Sequence, residues 1–189
     1  MPTEPTVAIL VNIVAPYRIP VYRRIGGRFR TVVFVSGTER NRASWAGVAE
    51  RAAGFEVRRT AGVSIPYRVG RGSVYDEKFL QLPLGQILDL ARLRPAAILS
   101  TEMGMRTLAA LLYGTLTRTP VWVWWGGTLH TERNIGRLRR LVRAVVSRWA
   151  KRWISYGATS TEYLESIGVP RDRILQIQKH RIHAALSRF

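Results

Sequence analysis

Ala96-Ala97-Ile98-Leu99-Ser100, the segment from Met105 to Thr117, and Val121-Trp122-Val123-Trp124-Trp125 decide the fold. The first and last are short apolar runs. A Leu- and Ala-rich piece of helix length lies between them, followed by Pro120. Strand, helix and strand in that order make a βαβ unit, whose two strands must run parallel. The pattern continues outward in both directions. Toward the C-terminus come Gly126-Gly127, an amphipathic helix over 135–150, a strand over 153–156, a helix over 160–167 and a last strand over 174–178. Toward the N-terminus, Leu84, Ile87, Leu88, Ala91 and Leu93 make a helix face that Pro95 ends. Before it lie a buried first strand over 6–13, a helix over 17–25 stopped by Gly26-Gly27, a second strand over 29–36 and a third, at an edge, over 55–60. Residues 41–53 are polar and Ala-rich and suit a short helix, and 61–72, with Gly62, Pro66, Gly70 and Gly72, reads as a loop. The expected fold class is α/β: a three-layer Rossmann-like sandwich with a mostly parallel sheet of about six or seven strands. Ligands of such sheets sit at the carboxyl ends of the strands, here after Ile13, Ser100, Trp125 and Tyr156.

Composition bounds the function. A chain of 189 residues with 47% hydrophobic content can bury a substantial core. It has no cysteine, which removes disulfides and thiolate metal sites and fits a reducing compartment. No apolar stretch approaches the roughly 20 residues that span a bilayer. Met1-Pro2-Thr3-Glu4-Pro5 lacks the features of a signal peptide, so a cytoplasmic location is expected. There is no Walker loop, no G-x-G-x-x-G, no H-E-x-x-H and no paired His ligands, so neither metal nor cofactor is expected. The net charge is +18, almost all of it arginine, with lysine only at Lys78, Lys151 and Lys179. Such a chain is drawn to nucleic acid, anionic lipid or phosphorylated substrates. The arginine bias of a high-GC genome accounts for the excess equally well.

Five stretches carry candidate chemistry. In the loop after the first strand, Arg18 offers a five-donor fork suited to phosphate or carboxylate, and Pro16 and Pro20 stiffen the backbone around it. The same residues also fit a rigid turn whose arginine pairs with a local acid. In Ser100-Thr101-Glu102-Met103-Gly104, Glu102 is either an acceptor for a sugar hydroxyl or an acid favouring a helix N-terminus by about 0.3–1 kcal/mol. After Trp125, Gly126 and Gly127 let a backbone approach a ligand, and His130 is a candidate general base. The tryptophans fit core packing as well as sugar stacking, and His130 fits a solvated surface position. In the next helix, Leu138, Leu141, Val142, Val145, Val146, Trp149 and Trp153 form one apolar stripe. Arg137, Arg139, Arg140, Arg143, Arg148, Lys151 and Arg152 occupy much of the rest, and no acid falls between Asn134 and Trp153. This reads either as a membrane-surface or polyanion patch or as a surface helix with solvated arginines. Finally, Thr159 or Ser160 suits the cap of the helix that carries Tyr163 and Leu164, both read as packing residues.

Asn12-Ile13-Val14-Ala15-Pro16-Tyr17-Arg18-Ile19-Pro20 resembles the opening of many glycosyltransferases of family 4, a GT-B family. The tryptophan-rich strand with its Gly-containing loop, and the stretch from Gly157 to Pro170, are similar to later parts of that family's first domain. Pro95-Ala96 departs from the Pro-Asp of many relatives, and His130 lies several residues beyond the position of a functional histidine in some of them. The resemblance implies an N-terminal, acceptor-side Rossmann-like domain over 1–178. Asn12, Pro16, Tyr17, Arg18, Glu102, Gly126 and Gly127 would bind the acceptor, and His130 would be catalytic. It implies transfer, with retention of configuration, from a nucleotide-sugar to a glycan or lipid-linked acceptor in bacterial cell-envelope polysaccharide synthesis. The basic amphipathic helix over 135–150 adds the expectation of a location peripheral to the inner face of the membrane. Family members continue into a donor-binding domain that commonly carries Glu-x7-Glu, whereas no two glutamates here are so spaced and 179–189 is an atypical tail. The expectation is therefore a chain inactive alone, whose end reflects a truncation, a frameshift or a split gene with a separately encoded donor-binding domain. The alternative is a non-catalytic basic module for nucleic acid or an anionic membrane surface, nucleic acid being the less expected partner.

Overall fold

The computed structural model describes residues 4–36, 54–69 and 76–177, with the backbone alone over 64–69 and 76–82. The chain forms two compact units that meet in sequence after Ala96.

The first unit opens with β1 (Thr6–Val11), α1 (Ile19–Gly26), β2 (Arg30–Val35) and β3 (Glu56–Arg59). β1 and β2 run parallel from Thr6 beside Arg30 to Val11 beside Val35, and β2 and β3 from Val32 beside Glu56. The order is β3-β2-β1, which puts β3 outermost, as its polar sequence leads one to expect. Ala8, Ile9, Leu10, Val32 and Val33 are fully buried, because a parallel strand covered on both faces must be apolar on both. The stretch read as a loop instead contains β4 (Val63–Val69), which pairs antiparallel with β5 (Asp76–Leu82) from Val63 beside Leu82 to Val69 beside Asp76. Gly62 and Pro66 suggested a break there; in a two-stranded ribbon half of the backbone N–H groups point away from the partner, so a proline can be accommodated. The short helix expected over 41–53 and the tail over 179–189 lie outside the described residues.

α2 (Gln86–Leu93) forms, but not with the expected inner face. Leu84, Ile87, Leu88 and Ala91 are exposed, while Gln86 and Leu90 are buried. Leucines lie all around this two-turn helix. The buried prolines on either side, Pro83 and Pro95, mark where the chain enters and leaves, and the 86–90 edge turns inward between them.

The second unit contains β6 (Ala97–Ser100), α3 (Met105–Thr117), β7 (Val121–Trp125), α4 (Leu129–Glu132), α5 (Arg137–Trp149), β8 (Arg152–Ser155), α6 (Ala158–Ser166) and β9 (Ile174–Gln176). Its four strands are parallel in the order β6-β7-β8-β9, with Ile98 beside Val121, Trp122 beside Arg152 and Trp153 beside Ile174. α3 and β7 match their sequence bounds. With three strands in the first unit, the described residues hold seven parallel strands flanked by helices.

The apolar stripe expected on α5 does not face inward as a whole. Val146 is fully buried, but Leu138, Leu141 and Val145 are exposed, and Arg143 and Ser147 face inward instead. Trp153 is buried, in β8 rather than on the helix. α6 is capped by neither Thr159 nor Ser160: its N-cap is Gly157, at φ 151°, a conformation that strongly favours glycine. Tyr163 and Leu164 are buried, as read from the sequence.

α2 and α3 both end on an arginine in the left-handed region, Arg94 at φ 49° and Arg118 at φ 61°. Glycine is the usual residue there, because a Cβ makes that conformation unfavourable by about 1–2 kcal/mol. Arg94→Gly and Arg118→Gly should each raise stability by about 0.5–1 kcal/mol after the entropy gained by the unfolded chain is subtracted. An increase in the denaturant midpoint at constant m-value is the expected result.

Candidate functional site

In the first unit, the loop leaving β1 folds back at once. Pro16, Tyr17 and Arg18 form a single 3-10 turn, with Arg18 N donating to Ala15 O at 2.9 Å, and Pro20 sits in the first turn of α1, where no N–H is needed. Val14 and Ala15 anchor the turn in the core, and Asn12 is partly exposed at its start. Tyr17 projects outward, and the Arg18 guanidinium carbon lies 6.0 Å from its ring centroid. Beneath, Tyr22 is fully buried, its ring edge-on to Phe55 at 5.6 Å. Burial pushes the Tyr22 phenol above its ordinary value, and the charge of the neighbouring Arg18 works against that rise. Arg18 is thus held between an exposed aromatic face and a buried hydroxyl at the carboxyl end of β1.

In the second unit, the segment after β6 is cross-tied. Ser100 Oγ and Thr107 Oγ1 share a hydrogen bond of 2.7 Å, and Thr107 Oγ1 donates to Glu102 O. The Glu102 carboxylate folds over Gly104 at the start of α3, with Oε1 3.7 Å from Arg106 Nη2. Arg106 is only 2% exposed; burial pulls its pKa down, and Glu102 opposes that. Glu102 therefore offsets a buried charge at a helix N-terminus, and its half-exposed carboxylate still faces solvent in part.

The loop after β7 is built on aromatic rings. Trp124 stacks on Tyr156 at 5.2 Å, and Trp125 on Tyr163 at 5.9 Å. A Cβ on Gly126 would come 2.5 Å from the Tyr156 ring, and one on Gly127 would come 2.4 Å from Trp125. Both glycines are thus required by the close approach of a ring, a reason the sequence reading did not include. Thr128 and Thr131 then cap α4 reciprocally: Thr128 N donates to Thr131 Oγ1 at 2.9 Å, and Thr131 N to Thr128 Oγ1 at 3.3 Å. His130 is exposed on α4, four residues beyond Gly126.

Unlike the other arginines expected at a membrane surface, Arg143 is not exposed: it is 8% exposed and pairs with Glu132 at the end of α4. Its guanidinium carbon lies 5.1 Å from the Trp125 ring centroid, and Nη1 donates to Tyr163 Oη at 3.4 Å. Burial lowers its pKa, opposed by Tyr163, yet arginine keeps its charge in proteins. Sequence reading missed Glu132, although a signal existed: it is the sole acid between Glu102 and Glu162. The remaining candidates on and after the helix, Arg137, Arg139, Arg140, Arg148, Lys151 and Arg152, are exposed. Among the described residues no cluster of His, Asp and Glu could hold a metal ion.

The sequence matches no protein-family model and no curated protein. Solved structures do match. Anabaena Alr3699/HepE in complex with UDP and glucose superposes with TM-score 0.63 at 13% identity, over 93% of this chain and 44% of that one. UDP-N-acetylglucosamine 2-epimerase from Rickettsia bellii gives TM-score 0.59 at 13% identity, over 98% and 47%. Acinetobacter baumannii MurG gives 0.53 at 10%, over 91% and 45%. The fold is α/β, Rossmann-like, and of the GT-B kind. The chain spans less than half the length of each of these structures.

Removing Glu132 strands a buried cation, which ordinarily costs about 3–5 kcal/mol. Glu132→Ala should lose an amount of that order in urea unfolding, and Glu132→Ala with Arg143→Met should recover most of it, because no charge is then left unpaired. Alkaline pH supplies a second check. Below about pH 10 the Tyr22 phenol is neutral in both folded and unfolded chains. Above that the unfolded chain ionises first, so stability should fall as pH rises through the raised folded value. Tyr22→Phe should flatten this alkaline limb.

Proposed function

We propose that this chain is the acceptor-side domain of a bacterial GT-B glycosyltransferase, similar to family 4, whose reaction also requires a donor-binding domain. The observation that carries the reading is Arg18, set at the carboxyl end of β1 on a proline-stiffened turn between Tyr17 and Tyr22. Support comes from the names of the structural neighbours, one holding UDP and glucose and another acting on UDP-N-acetylglucosamine.

In the complete enzyme an acceptor hydroxyl oxygen bonds to the anomeric carbon of the sugar as the bond to the nucleotide diphosphate breaks. The bonding electrons leave with the diphosphate, and the hydroxyl proton passes to a base. The family resemblance implies that configuration is retained. Arg18, with Tyr17, Asn12 and Pro16 shaping its loop, binds an anionic group of a glycan or lipid-linked acceptor by paired N–H donors. Glu102 accepts a hydrogen bond from an acceptor hydroxyl with the part of its carboxylate that faces solvent. His130, on the loop that Gly126 and Gly127 begin, is the candidate for the base. The product belongs to cell-envelope polysaccharide.

Transfer requires donor and acceptor to be clamped together, and that positioning supplies much of the rate. The 189-residue protein should therefore show no turnover with UDP-glucose or UDP-N-acetylglucosamine, and calorimetry should find no tight site for either. Fusion to a cognate donor-binding domain should give transfer, and Arg18→Ala should then lower kcat/KM by about tenfold to a hundredfold, the loss of a charge-assisted hydrogen bond. Robust transfer by the chain alone, or an unchanged Arg18→Ala fusion, would overturn the reading.

A further inference from the structure

α5 breaks two rules that a surface helix ordinarily obeys. Apolar side chains should face inward, yet Leu138 is 65% exposed, Leu141 61% and Val145 40%. Cations belong at a helix C-terminus, where they complement the macrodipole, yet the first turn holds Arg137, Arg139 and Arg140 and no acid. The three apolar residues are spaced i, i+3, i+7 and form one outward stripe. By the same spacing Arg137 and Arg148 border it, at i−4 from Leu141 and i+3 from Val145. α3 packs beside α5, with Trp149 Nε1 donating to Thr115 Oγ1 at 3.1 Å, and it exposes Leu112 and Leu116 one turn before and one residue after that contact. Lys151 and Arg152 follow at the end of α5 and are exposed. No helix among the described residues is long and apolar enough to cross a membrane, so this face can at most lie on one.

We propose that the exposed face of α3 and α5 docks on an anionic lipid surface, with Leu138, Leu141, Val145, Leu112 and Leu116 entering the interface and the bordering arginines meeting the headgroups. Charge decides the occupant. An acidic bilayer complements cations arrayed around an apolar stripe, and it accepts apolar side chains that a nucleic acid would leave in water. A second copy of this strongly basic chain would bring like charges together across the interface. The buried Arg143, turned away toward Glu132, takes no part. The proposal stands independently of sugar transfer.

Sedimentation of the 189-residue protein with phosphatidylcholine vesicles, with and without phosphatidylglycerol, tests it. Binding should require the anionic lipid and weaken as salt rises. Each basic residue near such a surface is worth about fivefold in partitioning, so Arg137→Glu with Arg148→Glu should lower binding at least twenty-five-fold or so. Leu138→Ser with Leu141→Ser, both exposed and therefore compatible with folding, should lower it about tenfold or more at fixed salt. Circular dichroism checks that both double variants retain the fold. Equal binding to neutral vesicles, or no binding to anionic vesicles at low salt, would overturn the proposal. So would anionic binding that the serine variant leaves unchanged, a stable dimer that the serine variant dissolves, or duplex DNA competing as strongly against the serine variant as against the native chain.

Discussion

The second unit depends on how one cation is satisfied. Arg143 sits among Trp125, Tyr163 and the inner edge of α5, where an unpaired charge would be very unfavourable. Glu132 supplies the opposite charge from a different element, α4. The pair therefore does more than neutralise a side chain. It ties the loop after β7 to α5, and the contact with Tyr163 extends the tie to α6. It also orients α5. With positions 143, 146 and 147 turned inward, positions 138, 141 and 145 have nowhere to go but outward. The exposed leucine stripe is a geometric consequence of the buried arginine.

The end of β7 shows how packing and site geometry become one constraint. Trp124 and Trp125 stack on Tyr156 and Tyr163, rings brought in by β8 and α6. Those rings occupy the space where side chains at 126 and 127 would begin, so the backbone there can only be glycine without some shift. The loop that carries Thr128, His130 and Glu132 is thereby held at both ends, by the stacked rings at its start and by the ion pair at its finish. A site built on such a loop has its backbone fixed before any ligand arrives.

The strands and most helices were legible because parallel strands buried on both faces must be apolar throughout, and helices between them keep a regular spacing. α3 and β7 match to the residue. What failed was the choice of helix face. On α2 and α5 apolar residues lie on more than one side, so composition alone does not select the inner edge. The selection comes from the buried prolines at 83 and 95 in one case and from Glu132 in the other. β4 was missed because glycine and proline, which argue against central strands, are tolerated in an isolated ribbon. Of the site, the rigid turn around Arg18 was legible from its prolines. The role of Tyr22 beneath it was not, since a tyrosine on a short helix gives no sign of which neighbour its hydroxyl will meet.

Arginine excess by itself says little, since a basic composition is compatible with any number of partners. Its placement says more. A chain at net +18 is already under self-repulsion, and that repulsion is relieved wherever an acid can be set among the arginines. Here the single acid between Glu102 and Glu162 is directed inward, to the buried Arg143. The exposed arginines of α5 begin at the end of the helix where positive charge is least favourable, beside leucines that solvent also disfavours. Two local penalties fall on the same surface, and neither strengthens the core beneath it. Local rules broken together in one place, without a gain to the fold, are the physical ground for the proposed lipid-docking face.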